Sequence, residues 1–285
     1  MKEVKTIAVI GAGTMGHGIA QIAGMAGFEV ALHDSDRDKV DEGLAHIASN
    51  LRKGVQKGKV SEETQALALG SVRGSTEFLD AVAEADLVIE AVPEKMDLKK
   101  SLFKDIARMA PDDCILATNT SSLSVTSIAS AVPNPDRLIG THFFNPPHIV
   151  SLLELVMAYQ TSDDTLQSMK QVGEKMNRHM IVVNDSPGFA SSRLGLILGL
   201  EAMRMFESGV ASVEDIDSAM VQGYRHPMGP LKLTDLVGLD VRLAIAEHLH
   251  KEVGEQFRPP NILRKMVRAG KLGRKSGEGF YQWDK

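Results

Sequence analysis

The chain has 285 residues, a formal net charge of −5, and 43% hydrophobic against 24% charged residues. This composition is typical of one large or two modest globular domains, and it lacks the overall basic field that indicates a nucleic-acid partner. The single cysteine, Cys114, excludes a disulfide framework and a cysteine metal cluster within the chain, and the sequence shows no metal-ligand spacing.

The N-terminal residues predict no targeting or membrane segment. Met1–Lys5 lead directly into the first predicted strand, which leaves no room for a signal or transit peptide. The most apolar later stretch, Leu194–Leu200, is far shorter than the roughly 20 residues that a membrane span needs. We therefore expect a cytoplasmic protein without a membrane partner.

The chain opens with the elements of a phosphate-binding turn. Lys5–Ile10 is an apolar strand pattern, and the letters G-A-G-T-M-G follow it and lead into a helix pattern to about Ala26. Gly11 allows a tight turn, Gly13 allows a pyrophosphate close to the backbone, and Gly16 allows close packing of helix on sheet. The helix N-terminus offers N–H groups to the phosphates. The turn residues expected at a dinucleotide are Gly11, Ala12, Gly13, Thr14, Met15 and Gly16.

A second predicted strand, Phe28–His33, ends at Asp34. A carboxylate in this position accepts hydrogen bonds from both adenosine ribose hydroxyls and repels a 2′-phosphate, so it predicts NAD rather than NADP. The glycines alone would be weak evidence. Because strand, helix, second strand and acid occur in the expected order, the pattern favours a dinucleotide site over a ligand-free turn.

Strands and helices alternate over the first two-thirds of the chain. Helix patterns cover Asp36–Lys57, Ser61–Leu69 and Asp97–Met109, and strand patterns cover Ala85–Ala91, Cys114–Thr118, Leu138–Thr141, Leu152–Ala158 and Met180–Val183. Near-continuous apolar strands separated by helices predict an α/β fold with a mostly parallel sheet that helices cover on both faces.

The pattern changes at Asp185–Gly188, beyond which the predicted elements are helices. They are Phe189–Phe206, Val213–Gln222, Leu231–Lys251 and Pro260–Ala269. We predict an α/β domain over residues 1–185 and an all-α domain over residues 186–285. The first of these helices is apolar on most sides, which predicts burial, and a small helical domain gives it little cover. A homodimer interface on this domain is therefore the natural hypothesis.

Polar residues follow the predicted strands at their carboxyl ends, where open parallel sheets bind ligands. The segment A-V-P-E ends at Glu94, and Lys99 follows in the next helix. N-T-S-S contains Ser121, and H-F-F-N-P contains His142 and Asn145. This composition predicts the rim of an active site.

His142 is the best acid–base candidate among nine histidines, because it leaves a strand into a rigid turn. Glu154 lies inside an apolar strand, where a buried carboxylate is costly unless it is paired. Two interpretations stay open. Glu154 pairs with His142 and fixes its tautomer, or it points outward from an edge strand.

Seven segments together resemble a known family over nearly the whole chain. They are G-A-G-T-M-G-H-G-I-A at the start, V-I-E-A-V-P-E at 88–94, T-N-T-S-S-L at 118–123, H-F-F-N-P-P at 142–147, S-P-G-F at 186–189, H-P-M-G-P at 226–230 and G-R-K-S-G-E-G-F-Y at 273–281. They resemble the short-chain L-3-hydroxyacyl-CoA dehydrogenases, which include the bacterial 3-hydroxybutyryl-CoA dehydrogenases.

The resemblance implies a Rossmann-like domain, a helical dimerisation domain and NAD-dependent oxidation of (S)-3-hydroxyacyl-CoA to 3-ketoacyl-CoA. It implies that His142 is the general base and Glu154 its paired carboxylate. It also implies Ser121 and Asn145 at the reacting substrate oxygens and the nicotinamide, Glu94, Lys99 and Lys275 at NAD, and Lys57 at the nucleotide end of CoA. Lys57 belongs to a basic stretch with Arg52, Lys53 and Lys59, and for any single lysine of this stretch a solvated helix end is the favoured explanation.

One position departs from the family pattern. An Asn usually follows P-G-F closely, and Ser192 occupies that place here. A serine hydroxyl is shorter than an amide and reaches a substrate carbonyl at longer range or through water. Acyl-chain preference therefore stays open, as does the pathway, which is β-oxidation, butanoate or polyhydroxybutyrate metabolism, or aromatic degradation.

Three alternatives remain. A 3-hydroxyisobutyrate-type dehydrogenase relies on a lysine in the first helix after the hinge between its domains. Phe189–Phe206 contains no lysine, which argues against this alternative. A lambda-crystallin-like sugar acid dehydrogenase shares several motifs, and activity on acyl-CoA against sugar acids separates the two. A non-catalytic dinucleotide-binding protein would keep the glycine turn and lose the His142 and Glu154 pair, both of which are present.

Overall fold

The chain folds into two compact units, one ending at Asp185 and the other beginning at Ser186. The computed structural model describes residues 2–284, so the outer ends of the two predicted domains, Met1 and Lys285, lie outside the described residues. The division falls where the predicted strands end and the D-S-P-G segment begins. Each unit has its own hydrophobic core.

The N-terminal unit contains one eight-stranded sheet. Its strands are β1 (Thr6–Ile10), β2 (Glu29–His33), β3 (Val72–Ser75), β4 (Leu87–Glu90), β5 (Ile115–Thr118), β6 (Leu138–Phe143), β7 (Leu152–Met157) and β8 (His179–Asn184). The strand order is β3-β2-β1-β4-β5-β6-β7-β8, and every neighbouring pair is parallel except β6 and β7. The predicted α/β fold with a mostly parallel sheet is confirmed.

Seven α-helices accompany the sheet in the described part of this unit. They are α1 (Thr14–Met25), α2 (Arg37–Gln56), α3 (Glu62–Ser71), α4 (Phe78–Val82), α5 (Met96–Met109), α6 (Val125–Ala129) and α7 (Asp163–Lys175). Every residue of the central strands β4 and β5 is buried, which is why their sequences are continuous apolar runs. Because β1, β4, β5 and β6 are parallel, their carboxyl ends meet at one edge of the sheet.

The C-terminal unit is helical. It comprises α8 (Ser191–Glu207), α9 (Val213–Ser218), α10 (Pro230–Val237), α11 (Leu239–Glu252) and α12 (Asn261–Arg268). Leu196, Leu200 and Met203 of α8 pack in its core. The prediction that this helix is buried on most sides is only partly right, because Leu194 and Leu198 are 63% and 42% exposed in the single chain.

Several elements differ from the sequence prediction, which also missed the five-residue helices α4 and α6. The single helix predicted over Leu231–Lys251 is two helices, α10 and α11, because Gly238 between them has a φ of 106° that no helix accommodates. The edge strand β3 was not predicted, since its four residues include Arg73 and Gly74 and form no apolar run. Helix α7 was also missed, although the Ser162 hydroxyl caps it by accepting from the Thr165 N–H.

Candidate active site

The glycine turn between β1 and α1 has the geometry that its spacing predicts. Gly11 has a φ of 103°, and a Cβ there would lie 2.7 Å from the Ala91 carbonyl oxygen. A Cβ on Gly16 would lie 1.6 Å from the Gly11 oxygen, so the helix packs too closely for any side chain. A Cβ on Gly13 would meet no atom within 4 Å. Open space therefore lies where a pyrophosphate is expected to approach, and the residues fit a dinucleotide.

Asp34 lies beside this turn, directly after β2. Its Oδ2 accepts a hydrogen bond from the Ala12 N–H at 3.1 Å, and its Oδ1 accepts from the Asp36 N–H at 3.3 Å. The backbone of the turn thus fixes the carboxylate that the sequence assigns to the ribose. The side chain is half-buried, which leaves part of it open to a ligand.

Glu94 joins the segments that follow β4 and β5. Its Oε1 accepts from the Thr120 hydroxyl at 2.6 Å and from the Ser121 and Ser122 N–H groups at 2.9 and 3.2 Å. Burial alone would raise the pKa of Glu94, but the charge of Lys99 and these hydrogen bonds outweigh it and lower the pKa. Glu94 is therefore an ionised acceptor that holds the turn containing Ser121.

Lys99 is not exposed, as a residue in direct contact with a cofactor would be. Its side chain has no exposed surface, and its Nζ lies 2.6 Å from Glu90 Oε1 and 3.4 Å from Glu94 Oε2. Glu90 is also fully buried. Burial raises the pKa of Glu90, and the adjacent ammonium offsets only part of that effect. The structure thus places Lys99 behind Glu94.

His142 and Glu154 face each other across the one antiparallel pair of the sheet. They are register partners in β6 and β7, and His142 Nδ1 lies 2.6 Å from Glu154 Oε2. Glu154 has no exposed surface, and His142 is 8% exposed. Strand β7 lies between β6 and β8, so the alternative of an outward-facing glutamate on an edge strand is wrong.

Four other residues that the sequence predicts for the site lie on other segments of the chain. Asn145 is exposed on the segment after β6, and Lys57 is exposed at the C-terminal end of α2. Ser192 and Lys275 belong to the C-terminal unit. Ser192 is half-buried in the first turn of α8, and Lys275 Nζ lies 2.6 Å from an oxygen of Asp240.

The sequence reasoning did not single out Asn119, Thr120 or Glu90. Asn119 Oδ1 accepts from the N–H of Phe143, the residue after His142, at 3.1 Å, so it links the exits of β5 and β6. Glu90 carried the same signal as Glu154, namely a glutamate within an apolar strand pattern. Asn119 and Thr120 lie in the T-N-T-S-S segment, which the sequence predicts as part of the rim with a role for Ser121 alone.

Burial raises the pKa of the Cys114 thiol to about 12, so it stays protonated as a core residue next to β5. Within residues 2–284, no group of three or more His, Cys, Asp or Glu side chains could hold a metal ion. None of the helices in the described part of the chain has the length and apolar character needed to span a bilayer.

Comparison with known proteins gives matches along the whole chain. The model of the 3-hydroxyacyl-CoA dehydrogenase NAD binding domain matches residues 6–186, and that of the C-terminal domain of the same family matches residues 188–283. A probable 3-hydroxybutyryl-CoA dehydrogenase of Deinococcus radiodurans is 44% identical over 276 residues, which are 96% of this chain and 99% of that protein. The 3-hydroxybutyryl-CoA dehydrogenase of Clostridioides difficile is 44% identical, over 98% and 99% of the two chains. The crystal structure of (S)-3-hydroxybutyryl-CoA dehydrogenase from Ralstonia eutropha matches with a TM-score of 0.95 at 40% identity, over 99% and 100% of the chains.

Proposed function

The chain belongs to the 3-hydroxyacyl-CoA dehydrogenase family of NAD-dependent oxidoreductases, and on that basis we propose that it oxidises a short-chain (S)-3-hydroxyacyl-CoA, such as 3-hydroxybutyryl-CoA, to the 3-ketoacyl-CoA. The observation that carries the proposal is the buried contact of 2.6 Å between His142 and Glu154. The pair lies in the N-terminal unit, which also carries the glycine turn. A base and a dinucleotide site are the two parts that this oxidation needs.

His142 takes the proton of the substrate hydroxyl. Because Nδ1 faces the Glu154 carboxylate, Nδ1 carries the proton of the neutral imidazole and Nε2 acts as the base. Glu154 then stabilises the imidazolium that forms, as the carboxylate of a catalytic triad does. NAD, held by the glycine turn and Asp34, would supply the acceptor for the hydride from C3 of the substrate.

The remaining residues orient the reactants. Ser121 and Asn145 hydrogen-bond the reacting substrate oxygens and the nicotinamide side of the site, and Asp34 holds the adenosine ribose. Glu94 lines the NAD site with Lys99 behind it, since the Lys99 side chain is fully buried. Three roles rest on the family resemblance alone, namely Lys57 at the nucleotide end of CoA, Ser192 at the acyl-CoA and Lys275 at NAD.

The chain acts as a homodimer through its C-terminal unit. Leu194 and Leu198 are one turn apart on α8 and are 63% and 42% exposed in the single chain. Exposed apolar side chains on one face of a helix are typical of an interface that a second subunit covers. The sequence of this helix is so apolar that a small helical domain alone gives it too few packing partners.

The first test follows NADH absorbance with acetoacetyl-CoA at neutral pH for the wild type, His142→Ala and His179→Ala. General base catalysis contributes about 10²–10⁴-fold, so His142→Ala should lose that factor in kcat while still binding NADH. His179 is exposed at the start of β8, and its variant should match the wild type. No turnover by a folded, NADH-binding wild type would reject the acyl-CoA substrate, and turnover of a sugar acid instead would favour the lambda-crystallin-like alternative.

A further inference from the structure

A buried ion pair between Glu90 and Lys99 lies behind the proposed site, and Glu90 has no role in the mechanism above. Glu90 ends β4 and Lys99 lies in α5, and neither side chain has exposed surface. Removing two charges from water costs free energy that a pair of apolar side chains would not cost, so such a pair is weak evidence for a role in stability. Its contacts indicate a role in the site instead.

Glu90 ties together the ends of two neighbouring strands. Its Oε1 accepts from Lys99 Nζ at 2.6 Å and from the Val92 N–H at 2.8 Å, and its Oε2 accepts from the Thr118 hydroxyl at 2.6 Å. Val92 follows β4, and Thr118 is the last residue of β5. The carboxylate therefore fixes the position of the buried ammonium at the edge of the sheet where the site lies.

Lys99 lies between two carboxylates at unequal distances. Its Nζ is 2.6 Å from Glu90 Oε1 but 3.4 Å from Glu94 Oε2. The other oxygen of Glu94 binds the turn at 120–122 through hydroxyl and amide donors, including the Ser121 N–H at 2.9 Å. The ammonium thus stays with Glu90, and Glu94 stays with the turn.

We propose that Glu90 is a positioning residue, whose carboxylate holds the Lys99 ammonium away from Glu94 so that Glu94 keeps Ser121 in place. Without the charge of Glu90, the nearest anion to Lys99 is Glu94. The ammonium then moves toward Glu94 and draws it from the donors of the turn. The inference rests on the proposed function, because that function places Glu94 and Ser121 at the cofactor and substrate.

A double-mutant cycle over Glu90→Gln and Glu94→Gln tests this coupling. The readouts are the NADH dissociation constant from a fluorescence titration, which needs no turnover, and kcat with acetoacetyl-CoA. We expect Glu90→Gln alone to weaken NADH binding and to lower kcat by about tenfold each. In the Glu94→Gln background, adding Glu90→Gln should change both by less than about twofold, because an amide at position 94 carries no charge and attracts the ammonium far less than a carboxylate does.

The matched control is Asp86→Asn, at the opposite end of β4. Asp86 also accepts several hydrogen bonds, from the Lys5 and Thr6 N–H groups, but it lies away from the site, so both readouts should match the wild type. The proposal would be overturned if Glu90→Gln changed NADH binding and kcat by equal factors in both backgrounds, or if it changed only the Tm. A failure of the proposed function is seen separately, as a wild type that binds NADH without reducing acetoacetyl-CoA.

Thr118→Val replaces Glu90→Gln if that variant does not fold. It removes one hydrogen bond to Glu90 and keeps the shape of the side chain and all charges. We expect NADH binding to weaken about threefold in the wild-type background and to stay unchanged in the Glu94→Gln background. The same weakening in both backgrounds would contradict the proposal.

Discussion

A single carboxylate determines which nitrogen of His142 acts as the base. Glu154 has no exposed surface, and its Oε2 lies 2.6 Å from His142 Nδ1. A carboxylate only accepts hydrogen bonds, so Nδ1 must donate. A glutamine amide at position 154 both donates and accepts, so it permits the opposite tautomer with the proton on Nε2.

We predict that Glu154→Gln lowers kcat by about 10²–10⁴-fold, because an imidazole in the wrong tautomer does not take the hydroxyl proton and its cation is no longer stabilised. NADH affinity should stay within about twofold of the wild type, since the proposed NAD contacts do not include this side chain. Steady-state kinetics measures kcat, and a fluorescence titration measures the affinity for NADH. A kcat within about threefold of the wild type would refute the role given to Glu154.

The residues of the site were predictable to different extents. His142 stands before a rigid turn and Glu154 interrupts an apolar strand, so local sequence singles out both. Glu90 interrupts an apolar strand in the same way, but only the packing of α5 on the sheet shows that Lys99 is its partner. Asn119 lies beside the predicted Ser121, yet its contact with Phe143 depends on the pairing of β5 with β6.

At the scale of elements, the turn from β1 to α1 contains glycines that are needed for two different reasons. Gly16 is required for packing, because its Cβ would lie 1.6 Å from the Gly11 oxygen. Gly13 is required by neither packing nor backbone, since its φ is −64° and its Cβ would point into open space. A requirement for glycine at position 13 can therefore come only from a ligand.

We predict that Gly13→Ala weakens NADH binding by at least about tenfold, because the new methyl group occupies space expected for the pyrophosphate. The Tm should change by no more than about 4 °C, since the loss at a helix cap is about 1 kcal/mol. Gly70→Ala is the control, because a Cβ there also meets no atom within 4 Å but lies on α3. Equal NADH affinity in the wild type and Gly13→Ala would contradict the dinucleotide role of this turn.

Most long elements were predicted from the sequence, but the 13-residue helix α7 was not, and neither were the short elements β3, α4 and α6. The order of the α/β elements, the mostly parallel sheet and the family resemblance are confirmed. Strand β3 has four residues, and only the neighbouring β2 defines it as a strand. The predicted helix over Leu231–Lys251 kept its apolar period across Gly238, so periodicity could not reveal that the backbone turns there.

At the scale of the whole molecule, three histidines make the fold sensitive to acid. Burial lowers the pKa of His17, His33 and His148 below the usual value near 6.5, and the charge of His46 adds to the effect on His17. Below about pH 6.5 the unfolded chain binds protons at these sites that the folded chain does not bind. The free energy of unfolding therefore falls as the pH falls through this range.

We predict a Tm that decreases from pH 7.5 to pH 5.5, and a shallower decrease in His46→Gln. His46 is exposed on α2 and its ring stacks on His17 at 5.0 Å, so removing it brings the pKa of His17 nearer to its usual value. Thermal unfolding at several pH values measures the slope. His179→Gln is the exposed control and should keep the wild-type slope. A slope that His46→Gln leaves unchanged would show that the two rings are not coupled.

We predict that Leu194→Glu/Leu198→Glu converts a dimer into a monomer. Both side chains are exposed in the single chain, so charges there should leave its helical signal in circular dichroism intact while opposing association. Sedimentation velocity of the variant and the wild type gives the masses. Leu79→Glu, 54% exposed in the N-terminal unit, should stay dimeric. A dimeric double variant would place the interface elsewhere.

The reversed direction of β7 has a consequence for motion. His142 and Glu154 are opposite each other in the interior of the sheet, with β8 outside β7, and a slip of one residue would turn Glu154 to the opposite face. Amides of interior strands exchange with deuterium mainly when the whole domain opens, whereas turns exchange through local fluctuations. The backbone that carries the proposed base is therefore expected to open only with the whole domain, whereas the turns that carry Ser121 and Asn145 are expected to open locally.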